Sequence, residues 1–199
     1  MADEAAPRRV AAAILAAGEG RRFGGAKPLA VLGGTTLVAT ACHAALESGL
    51  SPVLCVVGAE AAAVTAALPG GVDAVVNTRW REGIASSLAA AIDALGTHPD
   101  VTAVCIGLAD QPRVGPDAYK RLAAAHGAGA VLAAATYRGR RRNPVLVGRD
   151  LWREAAALHG DVGARQLMDS HAVVDVVCDG TGDPADVDTR ADLDALAMP

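Results

Sequence analysis

Residues 10–28 read Val10-Ala-Ala-Ala-Ile-Leu-Ala-Ala-Gly18-Glu-Gly20-Arg21-Arg22-Phe-Gly24-Gly25-Ala-Lys27-Pro28. An apolar run of strand length stops abruptly in four glycines, two arginines and a lysine. That order predicts a buried parallel strand delivering a backbone-rich, cationic loop to a phosphate. Two familiar phosphate loops do not fit. The Walker loop needs Gly-Lys-Ser/Thr, whereas Ala26 precedes Lys27 and Pro28 follows it. The dinucleotide fingerprint needs glycine where Phe23 stands, and an acidic residue about 20 positions on, which is lacking.

Working outward, apolar β-like runs alternate with alanine-rich helical stretches, the pattern of an α/β domain with a mainly parallel sheet. Gly33-Gly34 turns the chain, and Thr35 or Thr36 caps a helix through about Glu47 that ends at Gly49. Val53–Val57 is the second strand, Ala59–Leu68 a helix and Val72–Val76 the third strand. Asn77 opens a polar connection through Trp80 to Gly83, and Ser86 or Ser87 caps the helix Leu88–Leu95. Val101–Gly107 is the fourth buried strand, followed by Asp110-Gln111-Pro112 and a helix from Pro116 to His126. Gly129–Tyr137 and Pro144–Val147 read as strands joined by a basic turn, Arg138-Gly-Arg-Arg-Arg-Asn143. Asp150–Leu158 is helical, Gly160–Gly163 breaks it and Ala164–Ser170 resumes. Ala172–Cys178 is a late strand and Arg190–Leu196 a final helix.

A chain of 199 residues suits one well-buried core. The expected fold is a single three-layer α/β domain with a Rossmann-like sheet over residues 9–199, preceded by a flexible leader at 1–8. That leader carries charge and proline without an apolar h-region, so it is not a signal peptide, and a cytoplasmic protein is expected. No apolar run approaches the roughly 18 residues of a membrane span. A net charge of −4 offers no attraction to nucleic acid or an anionic membrane. Cys42, Cys55, Cys105 and Cys178 are widely spaced inside apolar runs, and read as buried small hydrophobes.

Ligands of open parallel sheets bind beyond the carboxyl ends of the strands. Three such ends carry chemistry: Gly18–Lys27, Asp110-Gln111-Pro112 and Asp186-Val187-Asp188. Each aspartate could instead cap a nearby helix. Leu15-Ala-Ala-Gly-x-Gly-x-Arg-Phe-Gly-x-x-Lys-Pro28 resembles the signature loop of MobA-like nucleotidyltransferases, and the Asp-Gln-Pro tripeptide is similar to that of their molybdenum cofactor cytidylyltransferase branch. The guanylyl branch more often reads Leu-Ala-Gly-Gly. Asn77-x-x-Trp80-x-x-Gly83-x-x-Ser86-Ser87 and Gly160-Asp161-x-Gly163-Ala164-Arg165 resemble later segments of the same family. Asn143-Pro144 departs from its usual His-Pro, and Asp188-Thr-Arg-Ala-Asp192 from its Asp-Thr-Pro-Glu-Asp.

The resemblance implies a transferase that moves CMP from CTP to the phosphate of molybdopterin and releases pyrophosphate. Lys27, Arg22 and Asp110 would be catalytic. Ala16, Ala17, Gly18, Gly20, Arg22, Gly24, Lys27, Asn77 and Ser86 would bind the nucleotide. Mg2+ would sit on Asp110 and Asp188, with Asp186 competing for the second place. A molybdenum hydroxylase or its chaperone would be the protein partner. A guanylyltransferase, a sugar- or polyol-phosphate nucleotidyltransferase and a non-catalytic nucleotide-binding accessory protein are the alternatives. The arginines of 138–142 are either a solvated turn or guanidinium forks for a phosphorylated acceptor.

Overall fold

The quoted apolar run forms β1 (Arg9–Ala16), and its alternation fixes two packing layers. Ala12, Ile14 and Ala16 point to one face of the sheet, and Ala11, Ala13 and Leu15 to the other. Side chains of a strand alternate in this way, so a run that is apolar throughout must be covered on both sides. The computed structural model describes residues 9–197, so the expected leader at 1–8 lies outside the described residues.

After β1 the chain makes a short hairpin, Val31–Leu32 with Thr35–Thr36, and enters α1 (Leu37–Glu47). Thr36 caps this helix, its hydroxyl accepting from the Ala39 N–H at 3.3 Å. β2 (Val53–Val57), α2 (Ala61–Ala66), β3 (Asp73–Val76), α3 (Ile84–Leu95), β4 (Val101–Leu108) and α4 (Pro116–Gly127) follow. The second half holds β5 (Leu132–Tyr137), β6 (Arg140–Gly148), α5 (Trp152–Ala156), β7 (Val174–Val177) and α6 (Arg190–Ala197). The strands form one sheet in the order β3-β2-β1-β4-β6-β5-β7. Only β6 runs against the rest, pairing antiparallel with both β4 and β5.

Val38, Cys42 and Ala45 of α1, Val64 of α2, and Tyr119 and Leu122 of α4 cover one face. Leu88, Ile92 and Leu95 of α3, and Trp152 and Ala155 of α5, cover the other. The expected three-layer α/β domain is present. The four cysteines are free and buried, and no helix among the described residues is long and apolar enough to cross a membrane.

Three local expectations need correction. The helix expected to start at Leu88 begins at Ile84, with Gly83 as its N-cap at φ 103°, so neither Ser86 nor Ser87 is a cap. The four-arginine turn shrinks to Arg138-Gly139, because β6 starts at Arg140 and its charged residues pair along β5. The start of the strand carries charge on both faces, Arg140 and Arg141 being exposed on opposite sides, so no apolar alternation marks it in the sequence. The segment 164–170 forms a 3-10 turn, Ala164–Asp169, and not a resumed α-helix.

Candidate nucleotide and metal site

Leu15 of β1 lies opposite Leu108 of β4, and the Ala109 N–H donates to the Leu15 carbonyl at 3.1 Å. The glycine loop and Asp110 therefore leave adjacent strands at the same carboxyl edge. The loop folds on itself, with the N–H groups of Phe23, Gly24 and Gly25 all donating to the Gly20 carbonyl. Gly20 stands at φ 69°, and a Cβ there would run into the Gly25 carbonyl, so this position demands glycine. Phe23 anchors the loop from below. It is buried with Leu37 and Val187, and the Arg190 guanidinium lies 4.9 Å from its ring centre.

The third expected segment is brought alongside by the backbone: the Val187 N–H donates to the Asp110 carbonyl at 2.8 Å. Thr189 and Asp192 cap α6 reciprocally, with the Asp192 carboxylate accepting from the Thr189 N–H at 2.7 Å and the Thr189 hydroxyl from the Asp192 N–H at 3.2 Å. Because this capping box serves the helix, the Asp188 side chain is left to turn toward the cleft. Asp110 does not cap α4 either, whose N-cap is Gly115.

The charges of the three segments meet in one knot. The Lys27 ammonium donates to Asp110 Oδ2 at 2.6 Å and lies 3.5 Å from Asp188 Oδ1, while Arg22 donates to that same oxygen at 3.0 Å. The other Asp110 oxygen, Oδ1, is buried with no hydrogen-bond partner among the described residues. An unmatched buried carboxylate oxygen is costly unless a ligand completes it. Two carboxylates gathered round one ammonium, one of them with a free buried oxygen, form a donor set that fits a hard divalent cation. Among the described residues no three His, Cys, Asp or Glu side chains gather to hold a metal, so phosphate oxygens and water would complete the shell. Asp186 points away, accepting from Gln111 Nε2 at 2.8 Å. Loss of hydration and repulsion from Asp110 hold its carboxyl above the ordinary range.

These residues line a cleft of about 440 Å³. Ala16, Ala17, Gly18, Gly20, Arg22, Lys27, Asp110 and Asp188 all border it. Asn77, Ser86 and Gly24 do not. Asn77 and Ser86 are buried behind the wall, where Asn77 Nδ2 donates to Ser86 Oγ at 2.8 Å and Ser87 Oγ at 3.1 Å, and Asn77 Oδ1 accepts from the Arg79 N–H at 2.9 Å. They shape the turn that carries Trp80 and Arg81 to the cleft, with the Arg81 guanidinium 4.2 Å from the Trp80 ring centre. Ile84, Ser87, Leu108 and Asp161 also line it and were not among the expected binding residues. Asp161 arrives because Gly83 packs directly against Gly160, whose carbonyl accepts from the Ala85 N–H at 3.2 Å; a Cβ at Gly83 would clash with that carbonyl.

A parallel-sheet edge with a glycine-rich cationic loop and a paired-carboxylate site defines a nucleotide-handling α/β domain. The MobA-like NTP transferase domain matches residues 12–176, and the chain belongs to that family. It is 34% identical over 192 residues to nicotine blue oxidoreductase of Paenarthrobacter nicotinovorans, covering 90% of this chain and 92% of that protein. Among solved structures it resembles Rv0371c of Mycobacterium tuberculosis H37Rv, with a TM-score of 0.83, 30% identity, and 96% and 98% of the two chains covered. A manganese complex of Rv0371c is similar at a TM-score of 0.82 and 29% identity over the same shares of the two chains. Molybdopterin-guanine dinucleotide biosynthesis protein A from Archaeoglobus fulgidus shares the fold at a TM-score of 0.67 and 16% identity, with 94% and 96% covered.

Proposed function

We propose that the protein is a Mg2+-dependent nucleotidyltransferase that moves CMP from CTP to the phosphate of a molybdopterin-type acceptor and releases pyrophosphate. The observation that carries this reading is the knot of Lys27 and Arg22 with Asp110 and Asp188, seated under the glycine loop. Lys27 and Arg22, with backbone N–H groups of Gly18–Gly25, are suited to hold the triphosphate. Leaving their carboxylates for phosphate, they free Asp110 and Asp188 to hold the metal, which when bound neutralises charge at the reacting phosphate.

No general base is needed on the protein. A phosphate monoester with a second pKa of about 6 is already largely dianionic at neutral pH and attacks the α-phosphate itself. The chain's work is to align donor and acceptor and exclude water. Ala16-Ala17 and Asp110-Gln111-Pro112 support CTP over GTP through their likeness to the cytidylyl branch. Pyrophosphate release with molybdenum cofactor as acceptor tests this: kcat/KM is expected to favour CTP clearly, and an equal or reversed preference overturns the donor assignment.

The 34% identity to an oxidoreductase over nearly the whole of both chains favours a second reading, redox chemistry on an organic substrate in the same cleft. Consumption of NADH or NADPH, with no pyrophosphate released from any of the four nucleoside triphosphates, would decide for it.

A further inference from the structure

A second cavity, of about 620 Å³, opens beside the nucleotide cleft. Its walls are the carboxyl end of β5, the start of β6 and the loop that follows β7, so it lies at the same edge of the sheet. Arg140 and Arg142 stand two residues apart on β6 and share a face, which they present to this cavity together with Arg138 from the turn. Arg141 points the other way and forks onto Asp175 of β7 at 2.6 and 3.1 Å. Among the described residues, Arg141 is the only one of these four arginines in an ion pair.

Three carboxylates also border the cavity, and each is turned toward a donor of the protein itself. Asp179 accepts from the Arg138 N–H at 2.8 Å, Asp183 from the Ala185 N–H at 3.0 Å, and Asp186 from Gln111 Nε2 at 2.8 Å. The guanidinium groups of Arg138 and Arg140 make no hydrogen bond to the described residues, and that of Arg142 makes one, to the Arg141 carbonyl at 3.2 Å. Each guanidinium carries five N–H donors and no acceptor, so three in one concavity, largely uncommitted to the protein, offer donors to an anionic group. The wall between the two cavities is the segment 186–188. Asp186 borders the second and Asp188 the first, and two residues of extended chain span at most about 7 Å.

We propose, building on the nucleotidyltransferase reading, that this cavity holds the far end of the acceptor, and that the acceptor carries there a second anionic group, remote from the phosphate that attacks the donor. Forked guanidinium contacts give such a group both charge and orientation. An acceptor with one phosphate and a neutral remainder would leave the arginines unused.

Two measurements test it. The Nε–Hε resonances of 15N-arginine-labelled protein, already saturated with CTP, are followed while inorganic phosphate is added at constant ionic strength. Saturable shifts of Arg138, Arg140 and Arg142 support the site, and shifts absent or no larger than those caused by chloride overturn it. In turnover with molybdenum cofactor as acceptor, the double variant Arg140→Ala/Arg142→Ala should raise the acceptor KM about 10-fold or more, as expected for lost charge-assisted contacts, while the KM for CTP stays within about twofold. An unchanged acceptor KM, or an equal rise in both, overturns the proposal. If the wild-type protein transfers no nucleotide, the nucleotidyltransferase reading and the acceptor assignment fail together, while the phosphate titration still reports whether the cavity takes an anion.

Discussion

The two walls of the nucleotide cleft are held in opposite ways. On one side Lys27, Arg22, Asp110 and Asp188 form a partly exposed knot of charge in which every bond joins groups that a ligand could claim. Behind the other, Asn77, Ser86 and Ser87 form a neutral, buried network in which each polar side-chain atom is bound to the protein. Exchange of a charged partner for a phosphate or a metal ion keeps each charge compensated, so the first wall can open at little cost. Breaking the second would strand buried polar atoms, each costing about 1–3 kcal/mol. One wall is therefore built to respond and the other to stay, and the residues of the second serve the site by fixing the turn that carries Trp80 and Arg81.

The largest effect should come from the ionic wall. Asp110→Asn removes the charge but keeps the shape, and should cut turnover about 100-fold or more, the scale of lost electrostatic stabilisation in a reacting site. Its melting temperature should stay nearly unchanged, since the carboxylate does not hold the core together. Asp188→Asn should behave alike in the same steady-state and melting assays. Activity retained in that variant alone would move the second metal position to Asp186. Full activity in both would remove the two-carboxylate mechanism and favour an accessory nucleotide-binding role.

The neutral wall should show the reverse. Asn77→Ala leaves the Arg79 N–H without its side-chain acceptor and should cost about 2 kcal/mol. For a domain of this size that corresponds to a fall of about 4–8 °C in Tm. CTP affinity measured on the folded variant should stay within about threefold. An unchanged Tm with a large loss of affinity would erase the contrast and return Asn77 to the binding surface.

The smallest effect concerns Asp186, whose carboxyl is held above its ordinary value of 3.8 by lost hydration and by Asp110. A carboxylate with a raised folded pKa binds its proton more tightly in the folded state. Its contribution is therefore intact below the ordinary value and is lost as pH rises through the shifted one. Asp186→Asn should melt slightly above the wild type at pH 7, and the gap should close by about pH 3.5. A gap that widens in acid would mean that the charged form is the stabilised one.

How much of this could be read in the sequence differs between the same two walls. The glycine loop, Asp110 and Asp188 are legible because each directly follows a strand or precedes a helix, and the parallel topology carries strand ends to one edge. Phe23, the one phenylalanine of the chain, served in the sequence only to exclude the dinucleotide fingerprint, although a large apolar side chain in a loop of glycine and charge also marks an anchor. Asn77 and Ser86 were misplaced for a physical reason. Nine residues of separation say that a helix turn can meet a strand end, but not whether the meeting faces the cleft or the core. Gly83 held the missing clue: a glycine at φ 103° starts α3 one turn early, which leaves Ser86 behind the wall and Ser87 on the cleft. Asp161 reaches the cleft through the contact of Gly83 with Gly160, a long-range approach with no local periodicity to announce it. The arginines of β6 were hidden by their own charge, since an extended run charged on both faces has no apolar alternation and reads as a loop.

On the proposed mechanism Lys27 trades its carboxylates for a triphosphate. Isothermal titration of CTP with Mg2+ into the wild type and Lys27→Ala tests it most directly. Loss of a charge-assisted contact worth about 1.5–3 kcal/mol predicts binding at least about 10-fold weaker in the variant, with the Tm preserved. Equal affinity in the two proteins would overturn this mechanism, because the knot would then be a structural ion pair and the nucleotide, if it binds at all, would be held elsewhere.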